Sequence, residues 1–182
     1  MSTPTTSPTT SRSIIDRLRF PVVTAYLWIM MTLFGAIVLE TLMIYPNVFA
    51  NPPESLALAM EFLSVTGPSD VFPPFGLACW ILGGASLVLT IRIRGVRGWI
   101  ALSLIALVAE GLASILFFWP RNDIMFTEGL AVHSAEYLIQ VAHEFETWHW
   151  ISRMTSNSIG AVSVFVGLLA LHRARVLAGR TQ

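Results

Sequence analysis

The chain has 182 residues, 54% of them hydrophobic and only 12% charged, with eleven basic residues (all arginine) balanced by eleven acidic ones. Soluble domains carry about 25% charged residues, so an ordinary soluble domain is excluded. Zero net charge and the absence of zinc-finger spacing leave no basis for nucleic-acid binding. The single cysteine, Cys79, rules out an intrachain disulfide and reads as packing within "GLACWILGG".

In chain order, "MSTPTTSPTTSR" is rich in Ser, Thr and Pro and reads as disordered, so residues 1–19 are expected to form a tail with Arg12, Arg17 and Arg19 at its end. The apolar run 20–45 is too long for a signal-peptide core and reads as an uncleaved anchor. Further runs at 75–93 and 99–119 are each near the ~20 apolar residues that a span requires. The last run, Ser158–Leu171, is too short alone and must borrow turns from the preceding "HEFETWHWISR", giving a span of about 150–172 followed by a tail at 173–182. The predicted fold is an all-α, four-helix integral membrane bundle. Nine arginines fall on one side of four such spans, and the 46–74 connection has none. The positive-inside rule then expects both termini in the cytoplasm of a plasma-membrane, multi-pass protein. The 46–74 connection is itself apolar enough to lie on the bundle as a lid, with Asn51 placed to cap a short helix.

Ionisable residues within spans are functional candidates by default. Glu40 and Glu110 fall about 7 Å and about 13 Å below the outer ends of spans one and three. Arg153 in the last helix is expected at the depth of Glu40 and is its first-choice ion-pair partner. Glu136, His143, Trp150 and Asn157 recur every seven residues, as do Ile139, Glu146, Arg153 and Gly160, which forms a polar heptad stripe expected to face the other helices. Within it His143, Glu146 and His149 make H-x-x-E-x-x-H, and Glu146 with His149 makes the E-x-x-H spacing of di-iron bundles. With Glu40 and Glu110 these five form a candidate site for iron, manganese or zinc. The bland alternatives are protonated glutamates bonded to neighbouring helices and interfacial histidines beside Trp148 and Trp150. Haem held by two histidines is disfavoured, because all four histidines follow residue 132.

Three segments carry a resemblance to a known family: "GAIVLETLMIYPNVF" closing helix one, "FFWPRNDIM" closing helix three, and "FETWHWISRMTSN" opening helix four. Together they resemble the anthrone-oxygenase-like four-helix membrane proteins, a group largely described as a domain of unknown function. The resemblance spans most of residues 20–172. This chain differs in one extra residue between His149 and Arg153 and in a longer 46–74 connection. The resemblance implies oxygenation of anthrones to anthraquinones and directs attention to Asn122, His149 and Arg153. The leading expectation is therefore a membrane oxidoreductase for a hydrophobic, aromatic substrate at an outward-facing polar site. His149 and Glu146 would serve as base or metal ligands, and Arg153 and Asn122 would complete the site. The alternatives are a small proton-coupled transporter using Glu40, Glu110 and Arg153, and an accessory subunit docking into a homo-oligomer or larger membrane complex through its small residues.

Overall fold

The structure, a computed structural model, describes residues 13–180. The proposed disorder of residues 1–12 lies outside the described residues. Five helices account for nearly all of the described chain: α1 (Ile14–Val48), α2 (Glu54–Phe62), α3 (Pro68–Thr90), α4 (Arg94–Val132) and α5 (Ala135–Arg180). Among the described residues there is no strand. All but α2 are long and apolar enough to cross a membrane. Their most hydrophobic windows are only 17–39% buried within the protein. The bundle's outside is therefore apolar all round, as lipid-facing helices require.

The helices run past the expected boundaries, and each extension has a local cause. Helix α1 begins at Ile14, not at residue 20, because Ser13 caps it: its Oγ accepts from the Asp16 N–H at 3.2 Å and donates to the Asp16 carboxylate at 2.8 Å. Arg19 then pairs with Asp16 and donates to the Leu89 carbonyl at the end of α3, so the charged turn is held against the bundle. Helix α3 begins at Pro68, where Asp70 reaches back to accept from the Gly67 N–H at 2.9 Å. Helix α4 does not stop at Pro120, which sits in the first turn of a restarted helical segment and so needs no N–H partner there. Helix α5 continues to Arg180, so 173–180 of the expected tail is helical. The lid helix exists, but Asn51 does not cap it in the usual way: its amide donates to the Glu54 carboxylate, and Ser55 Oγ bonds the Val48 carbonyl.

The four long helices form a ring in which α1 and α4 each pack against both α3 and α5. The half nearer the termini has a continuous apolar core that includes Val23, Tyr26, Met30, Ile100, Leu107 and Val164. Glycines bring the helices close there: a Cβ on Gly160 would meet Met30 Cε at 3.0 Å, and one on Gly167 would meet Ile100 Cδ1 at 2.9 Å. At the distal end, remote from the termini, a second core joins Tyr45, Leu56, Phe118, Met125 and Phe145, and α2 packs into it as a lid through Leu56 and Ala59. Between these two cores lies a polar layer.

Candidate functional site

The polar layer is built by a shared backbone irregularity. Helix α1 contains a π-helical turn at Glu40–Ile44, α4 two, at Ser114–Phe118 and Ile124–Glu128, and α5 one at His149–Met154. The inward residues in these regions recur every four positions: Ile37, Thr41 and Tyr45 in α1; Glu110, Ser114 and Phe118 in α4; Phe145, His149, Arg153 and Asn157 in α5. In an α-helix each four-residue step overshoots one turn by about 40°, so such a row would spiral out of the core. A wider i→i+5 turn absorbs the surplus and keeps the row on one face. The π turns at Glu40–Ile44, Ser114–Phe118 and His149–Met154 thus aim Glu40 and Thr41, Ser114, and His149 and Arg153 into one level of the bundle.

Arg153, 6% exposed, is the hub. Its Nε donates to Glu110 Oε1 at 3.0 Å and its Nη2 donates to Ser114 Oγ at 3.1 Å. Ser114 Oγ in turn donates to Glu110 Oε1 at 2.7 Å, closing a triangle. The guanidinium also lies 4.9 Å from the centre of the Phe118 ring. The expected partner, Glu40, does not make this ion pair. It lies within electrostatic range of Arg153, Glu110 and Tyr45. Glu40 is 8% exposed, and its Oε2 has no hydrogen-bond partner among the described residues. A buried carboxyl oxygen without a partner is costly and calls for an explanation.

His149 is enclosed. Tyr45 meets its ring edge-on at 4.7 Å, and Phe118 and Phe145 complete the cage. Its Nε2 lies 2.7 Å from Thr41 Oγ1, and the Thr41 hydroxyl donates its one proton to the Ile37 carbonyl at 2.6 Å. Nε2 is therefore the donor in the His149–Thr41 bond, which assigns the ring proton to Nε2 and leaves Nδ1 as an acceptor. That Nδ1 has no partner among the described residues.

The heptad stripe is corrected by this geometry. Glu136, Ile139, His143 and Trp150 are exposed, whereas Leu138, Ala142, Phe145 and His149 face inward. The reason is the π turn, which breaks a seven-residue extrapolation between residues 149 and 154. His143 and Glu146 instead line a separate surface cavity of about 250 Å³ with Phe49, Asn51 and Pro52. The H-x-x-E-x-x-H pattern therefore does not converge. Among the described residues no three His, Cys, Asp or Glu side chains could hold one metal ion. His143, Glu146, His149, Glu110 and Glu40 are thus distributed over different environments, and the donor set does not fit the expected metal site.

A distal cavity of about 700 Å³ lies beneath the lid. Glu40, Tyr45 and Asn122 line it together with apolar side chains including Met43, Leu58, Met60 and Phe126. Asn122 thus joins the candidate site from the segment between the two π turns of α4. Sequence reasoning missed Tyr45, Thr41 and Ser114. The available signal was the run of four-residue spacings through Thr41, Glu110 and Arg153. Compared with protein-family models, with curated proteins and with solved structures, the chain finds no match.

Proposed function

We propose that this chain is a membrane-embedded oxidoreductase of the anthrone-oxygenase-like kind, in which Glu40 takes a proton from an apolar aromatic molecule seated in the distal cavity. The observation that carries this reading is Glu40 itself: a buried carboxyl group with one unpartnered oxygen, in the wall of a mostly apolar cavity of about 700 Å³. That volume lies within the range of about 300–1,000 Å³ usual for small-molecule sites. A general base must reach the proton it removes, and Glu40 lines this cavity whereas the caged His149 does not. The base therefore moves from His149, the sequence-based choice, to Glu40.

The step balances with dioxygen as oxidant. Glu40 accepts a proton from a ring methylene, and the resulting carbanion is stabilised by the conjugated rings. It gives its electrons to dioxygen as a C–O bond forms, and the hydroperoxide loses water. In sum, CH₂ + O₂ gives C=O + H₂O. Tyr45 and Arg153, both within interaction range of Glu40, favour the anion that develops beside them. Asn122 offers an amide to an oxygen of the substrate. By the positive-inside rule the termini lie in the cytoplasm and the cavity opens on the outer side of the plasma membrane.

The test is oxygen uptake by protein in mild detergent, supplied with an anthrone-type substrate. Wild-type protein should consume oxygen above the protein-free rate. Glu40→Gln should lose at least a hundredfold of that increment, as removal of a general base typically does. Uptake equal to the protein-free rate, or a fully active folded Glu40→Gln variant, overturns the proposal. A second reading, proton-coupled transport, draws on Glu40 and Glu110 lining different cavities. It requires proton flux in liposomes that Glu110→Gln abolishes, with no oxygen consumption.

A further inference from the structure

A second cavity, of about 160 Å³, is lined by Arg153, which does not line the distal one. It is a lateral slot between α1, α3 and α4, walled by Phe72, Trp80 and Leu107, with Glu110, Arg153 and Asn157 at its floor. Its rim residues Leu77, Ile115 and Trp119 are 57%, 43% and 42% exposed on the apolar outside of the bundle, so the slot opens toward lipid and not toward water.

The floor holds one unused group. Asn157 is 0% exposed; its amide nitrogen donates to the Arg153 carbonyl at 2.9 Å, and its Oδ1 has no partner among the described residues. Arg153 directs Nε and Nη2 to Glu110 and Ser114. A buried amide oxygen without a donor is costly, and a donor group lodged in the slot is placed to meet it. Carboxylate and phosphate bring no donor and would face Glu110. An ammonium group would face the Arg153 cation. A neutral hydroxyl satisfies the acceptor without adding charge. The volume sets the size, because a cavity of about 150 Å³ admits one benzene ring, and Trp80 and Phe72 offer aromatic walls to such a ring.

We infer that the lateral slot binds the hydroxyl-bearing six-membered ring of a lipid-soluble phenol, its hydroxyl donating to Asn157 Oδ1 and its alkyl tail remaining in the bilayer. This site is separate from the distal cavity and does not depend on the chemistry proposed there.

The experiment compares equilibrium binding of a para-alkylphenol with that of the alkylanisole of the same chain length, on the full chain in lipid nanodiscs. The anisole keeps ring and tail but lacks the O–H donor. Wild-type protein should bind the phenol about tenfold or more tightly than the anisole. Asn157→Leu should erase that preference. Gly76→Leu should weaken binding of both probes about tenfold or more. Gly76 lines the slot, and a Cβ there meets nothing within 4 Å, so this variant blocks the slot without a clash and tests the site even where Asn157→Leu fails to fold. Equal affinities in wild-type protein, a preference that survives Asn157→Leu, or wild-type binding by Gly76→Leu would each overturn the inference.

Discussion

Arg153 decides how the charges in this bundle coexist. It holds Glu110 directly, shares Ser114 with it, and faces Glu40 without bonding it. Removing one partner of a buried pair leaves the other uncompensated, which costs about 3–5 kcal/mol, whereas removing both charges costs far less. Arg153→Met should therefore lower stability by about that amount, measured by reversible unfolding in mixed micelles. The double variant Arg153→Met with Glu110→Gln should recover much of the loss. A single variant as stable as wild type would show that the pair contributes nothing. The sequence made the identities legible at this scale, because a charge inside an apolar span stands out wherever it falls. It did not make the partner legible. Glu40 and Glu110 both lie at depths that Arg153 reaches, and only the rotation of each helix selects between them.

That rotation is set at the scale of the element. A seven-residue pattern projected through α5 places His143 and Glu146 inward, but the π turn at His149–Met154 resets the face and carries Phe145, His149, Arg153 and Asn157 there instead. A π turn adds one residue to a turn without changing composition, so neither hydropathy nor heptad counting registers it. Runs of inward positions at steps of four do register it, in α1, α4 and α5 alike. The helices outrun the expected spans for a related reason: charged turns such as Asp16–Arg19 look like solvent in the sequence, yet capping and the bond from Arg19 to Leu89 keep them helical. Helix spacing gives a second test. Gly167 sits where a Cβ would meet Ile100 at 2.9 Å, whereas Gly35 has nothing within 4 Å. Gly167→Leu overpacks the α4–α5 contact and should cost about 1–3 kcal/mol. Gly35→Leu, on the open face of α1, should be neutral or slightly stabilising through helix propensity. Thermal unfolding of both variants checks the contrast, and equal effects would contradict the assigned packing.

At the scale of the whole molecule, four apolar helices ring a polar layer that sits between two apolar cores, with a lid helix over the distal one. The four-span bundle and the lid were legible in the sequence, because a span needs a length of apolar residues and the arginines fall at span ends. The cavities were not, because each is a gap between side chains from several helices. Such a gap depends on the joint rotation that the π turns impose. One consequence is that the two cavities present different chemistry: Glu40 and Tyr45 line the distal one, Asn157, Glu110 and Arg153 the lateral one. The most direct measurement of the central claim is isotopic. An anthrone-type substrate is incubated with the protein under ¹⁸O₂, and the product is analysed by mass spectrometry. The account expects one ¹⁸O in the new carbonyl, formed faster than without protein and lost in folded Glu40→Gln. Product formed at the protein-free rate, or labelled product from Glu40→Gln at the wild-type rate, would contradict it.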